Sequence, residues 1–215
     1  MVSPADPPAG FERRQNSRYR LVRPLTGFIE HHEQRYPGAV LDLSVSGFLL
    51  HLPGADPERF RKRSEMDFGE VVFGETTFGG FGRIANVRSM VGGPGLGFQW
   101  DDYVYEESRS VIDQLIADLT QQRMAGCVRR RDERVSIRGH LSSALSLDLH
   151  SAVAAGARAI SLAETVSLDS SGLNVLLDIV RSGIPIIDSA PEIREHLQRF
   201  RLLDGAGPAA GTKDA

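Results

Sequence analysis

Arg13-Arg14-Gln15-Asn16-Ser17-Arg18 and, further along, Asp42-Leu43-Ser44-Val45-Ser46-Gly47 are the stretches on which the reading of this 215-residue chain turns. The second lies between two short apolar runs, Ala39-Val40-Leu41 and Phe48-Leu49-Leu50, and reads as a Ser/Gly turn joining two strands. The first supplies guanidinium groups at the spacing R-x-x-x-R. Together they bring planar donor forks, a carboxylate, a hydroxyl and a glycine that tolerates a positive φ or a close backbone approach.

These groups suit a guanine nucleotide. A guanine edge offers O6 and N7 as acceptors, and an arginine fork can engage both at once or stack on the purine, which a lysine cannot do. The same fork pairs bidentately with phosphate, so Arg14 and Arg18 could hold different parts of one compact ligand. Asp42 can accept from N1–H and N2–H, and Ser44 can bond a phosphate or a base. Only Lys62 and Lys213 among the 25 basic residues are lysines, so R-x-x-x-R alone recurs by chance in so Arg-rich a chain. The rarer D-x-S-x-x-G following it carries the reading.

That order, R-x-x-x-R and then D-x-S-x-x-G, resembles the binding signature of PilZ domains, receptors for the bacterial messenger cyclic di-GMP. The resemblance implies that Arg13, Arg14, Arg18, Asp42, Ser44 and Gly47 bind this ligand. An arginine at the position of Arg13 tends in that family to accompany a stacked ligand pair, which implies two ligands per protein.

The chain is longer than the commonest domain size, which favours two domains. Apolar residues make up 41% of it, enough for two cores. A formal net charge of -3 and a pI near 6.1 argue against a general nucleic-acid or membrane-surface binder, so the arginine cluster is a local feature. The single cysteine, Cys127, excludes an intramolecular disulfide, and no Cys/His spacing suggests zinc. The Pro-rich Met1 to Gly10 lacks an apolar h-region and no run is long enough to span a bilayer, so a cytoplasmic protein without membrane insertion is expected.

Along the chain, residues 1–10 read as a flexible tail. Residues 11–125 are rich in Gly, Phe and Val, with short runs such as Val71-Val72-Phe73, Arg83-Ile84-Ala85-Asn86-Val87 and Gly95-Leu96-Gly97-Phe98-Gln99-Trp100. Many short strands with glycine turns predict a small antiparallel β-barrel, and the closing Gly-Leu-Gly-Phe is similar to the last barrel strand of PilZ domains. Ile112, Leu115, Ile116 and Leu119 then form one helical stripe, so a C-terminal helix over Tyr103 to Ala125 follows, with Gly126 as its C′ residue. The charged run within 126–133 reads as a linker.

Residues 134–204 alternate strand-like and helix-like segments, which predicts an α/β sandwich. The helices are expected over Ser143 to Ala155, Ser171 to Ser182 and Pro191 to Leu203, the last opened by a capping box at Ser189-Ala190-Pro191-Glu192. Residues 205–215 read as a second tail. Asp169-Ser170-Ser171-Gly172-Leu173, with Arg138-Gly139-His140-Leu141 upstream, is similar to the D-S-[ST]-G-L segment of STAS domains, the fold of anti-sigma-factor antagonists. The resemblance implies a protein-docking surface around Ser170, which in phosphoregulated members is the modified serine. The regions in which those members usually carry acidic residues read here Leu141-Ser142-Ser143 and Leu162-Ala163-Glu164. Apart from phosphorylation, Asp169 or Ser170 can cap the following helix.

His31-His32-Glu33 reads as a solvated loop, since adjacent strand side chains point apart and do not converge on a metal. Gly92-Gly93-Pro94-Gly95-Leu96-Gly97 reads as a turn because no G-K-[ST] follows. Without a nucleophile and base at informative spacing, no enzyme, cofactor or metal is expected. The reading is a cyclic di-GMP receptor that couples its PilZ-like domain to a protein partner through the STAS-like domain, with no nucleic-acid polymer as partner. The alternative is an interaction adaptor whose PilZ-like domain does not bind nucleotide.

Overall fold

The computed structural model describes residues 17–60 and 66–203. They form two compact units that part between Gly126 and Cys127.

The first unit is a closed antiparallel barrel. Its strands are β1 (Tyr19–His31), β2 (Gln34–Ser44), β3 (Gly47–His51), β4 (Asp67–Phe73), β5 (Thr76–Met90) and β6 (Gly93–Trp100). They pair in the order β1-β2-β3-β6-β5-β4, and β4 returns to pair with β1, so no free edge remains. Period-two alternation drives this closure. In β5, Phe78, Gly80, Gly82 and Ile84 face inward while Thr77, Gly79, Phe81 and Arg83 face solvent. Ile29, Val40, Leu43, Phe48, Leu50 and Phe98 are buried together as the barrel's core.

Irregularities in the ladders decide where polar groups end up. Val40 pairs with Leu50 but Asp42 with Leu49, so Leu41 is an extra residue in β2. In regular alternation, Asp42, two residues on, would share the face of Val40. The bulge instead lets Val40 and Leu43 both enter the core and turns Asp42 to the opposite face.

The helix α1 (Asp102–Gln121) packs against β5 and β2. Ile112, Leu115, Ile116 and Leu119 are all buried, as the sequence stripe requires. The helix stops earlier than expected, at Gln121, and Arg123 takes the left-handed conformation (φ 60°) assigned from sequence to Gly126. Gly126 lies instead in β7 (Ala125–Arg131), where it pairs with Arg20. His31 also departs from its reading as part of a solvated loop. It ends β1 almost fully buried, with Nδ1 2.7 Å from Asp67 Oδ1 and Nε2 3.1 Å from the Arg59 carbonyl. Only His32 and Glu33 form the turn, both at positive φ.

The expected linker 126–133 is ordered β structure. β7 runs through the arginine run and turns at Asp132-Glu133 into β8 (Arg134–Leu141). Arg129 and Arg131 are exposed and Arg130 half-buried, so a charge run that resembles a linker is a strand with polar faces.

The second unit continues with α2 (Ser146–Ala154), β9 (Ala159–Leu168), α3 (Ser170–Arg181), β10 (Ile186–Ser189) and α4 (Pro191–Arg199). Its strands lie in the order β10-β9-β8-β7, with β8, β9 and β10 parallel. Leu149, Ile160, Leu176, Ile179, Ile193 and Leu197 belong to one buried cluster, which is how alternating strands and helices cover a parallel sheet. Two boundaries differ from the sequence reading. The α2 segment opens with a 3-10 turn, Ser143–Leu145, and α4 ends at Arg199 because Arg201 is left-handed (φ 54°). The capping box at Ser189 does not form. Ser189 completes β10, and Ala190 is the N-cap without a side-chain bond, followed by Pro191.

Candidate nucleotide site and the Ser170 loop

On the barrel, the bulge-turned Asp42 is 1% exposed and carries a guanidinium on each oxygen. Arg18 Nη1 donates to Oδ1 at 3.1 Å and Arg20 Nη1 to Oδ2 at 2.9 Å. A carboxylate so deeply placed needs such partners, because burying an unpaired charge is expensive. Both arginine side chains are 23% exposed, and Arg18, which precedes the first strand, has further N–H donors that can meet an anion.

The β2–β3 turn holds the other two signature residues. Ser44 Oγ is buried, donates to the Gly47 carbonyl at 3.1 Å and lies 3.2 Å from Ser46 Oγ. As it stands, the Ser44 hydroxyl can accept from a ligand, while its proton is used to close the turn. Gly47 has φ 152°, and a Cβ there would lie 2.0 Å from the Phe98 carbonyl oxygen. The motif glycine is therefore required by the approach of β3 to β6. The structure thus brings Arg18, Asp42, Ser44 and Gly47 to β2 and its turn. Arg13 and Arg14 lie outside the described residues.

Sequence reasoning missed Arg20. The signal was available: Arg18 and Arg20 are two apart, which puts them on one side of an extended chain. What it could not supply was the β1–β2 register, in which Arg20 is the direct partner of Asp42.

In the second unit, the Asp169-Ser170-Ser171-Gly172-Leu173 segment is a helix entrance whose parts are separately explained. Asp169 is the N-cap of α3, its Oδ1 accepting from Gly172 N at 2.7 Å and from Ser171 Oγ at 2.6 Å. Ser171 Oγ also accepts from Ser143 N at 2.9 Å, tying the α3 entrance to the 3-10 turn that follows β8. A Cβ on Gly172 would lie 2.2 Å from the Leu141 carbonyl oxygen, so glycine is obligatory here too. His140 is buried, with Nδ1 2.8 Å from Ser167 Oγ and Nε2 3.5 Å from Asp169 Oδ2. Burial pushes the Asp169 carboxyl up, but the bonds from Ser171 and Gly172 and the nearby His140 outweigh it and hold Asp169 below the usual aspartate value. Ser170, the first residue of α3, is exposed.

No helix among the described residues is long and apolar enough to cross a membrane. Among those residues no cluster of three or more His, Cys, Asp or Glu is arranged to hold a metal.

A family model described as the PilZ domain matches residues 12–118. Among solved structures, the chain is similar to the PilZ domain with c-di-GMP of YcgR from Escherichia coli, at 16% identity over 52% of this chain and 97% of that one, with a TM-score of 0.42. It is also similar to YcgR in complex with c-di-GMP from Escherichia coli, at 17% identity over 51% and 49% of the two chains, TM-score 0.38. A third similarity is to the Bacillus subtilis inhibitor of motility MotI/DgrA, at 10% identity over 50% and 53%, TM-score 0.38. The chain thus spans about half the length of the latter two. No curated protein matches it. The family match covers the arginine motif, the Asp42 turn, the whole barrel and most of α1, and residues 12–118 of this chain are accordingly a PilZ domain.

Proposed function

We propose that this protein is a cyclic di-GMP receptor. Arg13, Arg14, Arg18, Asp42, Ser44 and Gly47 form its site, and the α/β unit, read as STAS-like, docks a protein partner. The observation that carries this reading is the buried Asp42 carboxylate with Arg18 and Arg20 on its two oxygens. It is an acceptor for the guanine N1–H and N2–H edge beside the remaining donors of Arg18 for phosphate, within a segment that matches the PilZ family.

Each member of the site has a chemical part. Arg18, on irregular backbone just before β1, can reach base or phosphate. Asp42 reads the base. Ser44 and Gly47 shape the turn against which the ligand packs. Arg13 supports a stacked pair of ligands, hence two per protein. Ligand binding changes the partner-binding state only to the extent that the ligand prefers one arrangement of the protein over another.

The alternative, an adaptor whose PilZ domain binds no nucleotide, draws on the same observation. Asp42 is already satisfied, and Ser44 spends its proton on the turn. Calorimetric titration of the full chain with cyclic di-GMP, with cyclic di-AMP and GTP as controls, decides between them. Selective uptake of cyclic di-GMP supports the receptor, and no heat with any of the three supports the adaptor.

A further inference from the structure

We propose that Arg20 is a positioning residue of the nucleotide site, a fixed counter-ion that orients the Asp42 carboxylate while Arg18, sharing that carboxylate, is released to the ligand. This rests on the cyclic di-GMP reading above and assigns different tasks to two arginines that look equivalent in the sequence.

Asp42 cannot be left alone. It is 1% exposed, and a bare carboxylate at such depth is costly, so at least one of its two guanidinium partners must stay when a ligand arrives. Each carboxylate oxygen accepts more than one hydrogen bond, so a guanine edge can add to the carboxylate without displacing both arginines.

The backbone selects which arginine stays. Arg20 lies within β1, directly opposite Asp42 in the β1–β2 ladder, and on the other side of β1 it pairs with Gly126. Held between two neighbours, its backbone cannot shift without breaking ladder hydrogen bonds, so the base of its side chain stays opposite Asp42. Arg18 precedes the first residue of β1 and belongs to no strand. Its departure from Asp42 costs no ladder bond, and its remaining N–H donors can take base or phosphate.

The consequence is specific. If Arg20 fixes the plane of the Asp42 carboxylate, losing it blurs recognition of the guanine N2 amino group more than recognition of phosphate. Losing Arg18 weakens the ligand as a whole.

The test is calorimetry on the full chain with cyclic di-GMP and with its inosine analogue, cyclic di-IMP, which lacks the N2 amino group. Wild type, Arg20→Ala, Arg20→Lys and Arg18→Ala are compared. With one hydrogen bond to a charged acceptor at stake, wild type is expected to prefer cyclic di-GMP by about tenfold. Arg20→Ala should lose about tenfold in cyclic di-GMP affinity and retain a preference no greater than about twofold. Arg20→Lys, which keeps a cation opposite Asp42, should recover most of the preference, and Arg18→Ala should weaken both ligands with the preference intact. An Arg20→Ala protein that still discriminates, or an Arg20→Lys protein no better than Arg20→Ala, overturns the proposal. Should Arg20→Ala fail to fold, Arg20→Gln takes its place against Arg20→Lys, and equal discrimination by the two overturns it. A wild type that binds no cyclic di-GMP overturns the receptor reading itself, a different result from a wild type that binds and an Arg20 variant that binds equally well.

Discussion

A Cβ on Gly47 would stand 2.0 Å from the carbonyl oxygen of Phe98. The two strands that carry these residues meet at a distance that only glycine permits, and Gly47 also holds φ at 152°, where a side chain is strained. Its place in a binding signature therefore has a folding reason. Gly47→Ala is expected to destabilise the barrel by about 2 to 4 kcal/mol, since both backbone strain and a main-chain clash are imposed. Denaturant unfolding checks this. An unchanged midpoint combined with lost nucleotide binding would show that the glycine serves the ligand and not the strand contact.

Arg18→Ala removes one guanidinium from Asp42 and leaves the other in place. Stability should change little, because Arg20 still satisfies the carboxylate, while cyclic di-GMP affinity should fall by tenfold to a hundredfold with the loss of charge-assisted bonds of about 1.5 to 3 kcal/mol. Arg14→Ala is expected to act similarly on affinity. If the Arg14→Ala, Arg18→Ala double variant binds as tightly as wild type, the assigned site is not where the nucleotide goes.

Asp169 gives a pH dependence of definite sign. Its carboxyl titrates below its ordinary value in the folded protein, so the folded state favours the ionised form. The stabilisation is complete above the unfolded-chain value, about 3.9, and is lost as the pH falls through the lower folded value. Asp169→Ala should cost about 1 kcal/mol at neutral pH through the lost cap and should flatten the acid limb of the stability curve. Unfolding midpoints of the two proteins that fall in parallel between pH 5 and pH 2 would contradict this account.

The parts of the fold that were legible in the sequence are those written in a period. The short Arg83 to Val87 run within β5 and the Ile112, Leu115, Ile116, Leu119 stripe announced strand and helix because each follows the geometry of its element. The β-bulge at Leu41 was not legible, since it is defined by partners on β3. Neither was the Arg20–Asp42 pair, which exists only through cross-strand register. The run around Arg129 to Arg131 misled because exposed strand and linker share a charged composition. The Ser189 capping box misled because its serine is consumed by β10. Asp169 was readable as a cap because the N–H it satisfies, that of Gly172, lies within one turn of α3, whereas the need for glycine at 172 was not, since it comes from the Leu141 carbonyl on β8.

Ser170 stands exposed at the start of α3, next to an Asp169 held in its ionised form. A phosphate there would gain from the free N–H groups and dipole of the helix N-terminus but would face the Asp169 carboxylate. The two effects oppose each other, and neither is built into a switch: Ser171, not Ser170, bridges to Ser143 and couples the helix entrance to the 3-10 turn that follows β8. The loop is therefore expected to act as a docking surface without needing modification. Ser170→Asp should leave unfolding stability within about 0.5 kcal/mol of wild type, as exposed N-terminal charges do, and should leave cyclic di-GMP affinity of the full chain unchanged. It should reduce recovery of the partner that co-purifies with wild type, because an unpaired charge has been added to the interface. Stoichiometric phosphate on Ser170 in intact-mass spectra of protein from its native cells would make the loop a phosphorylation switch after all. Undiminished partner recovery with Ser170→Asp would place the docking surface elsewhere on the α/β unit.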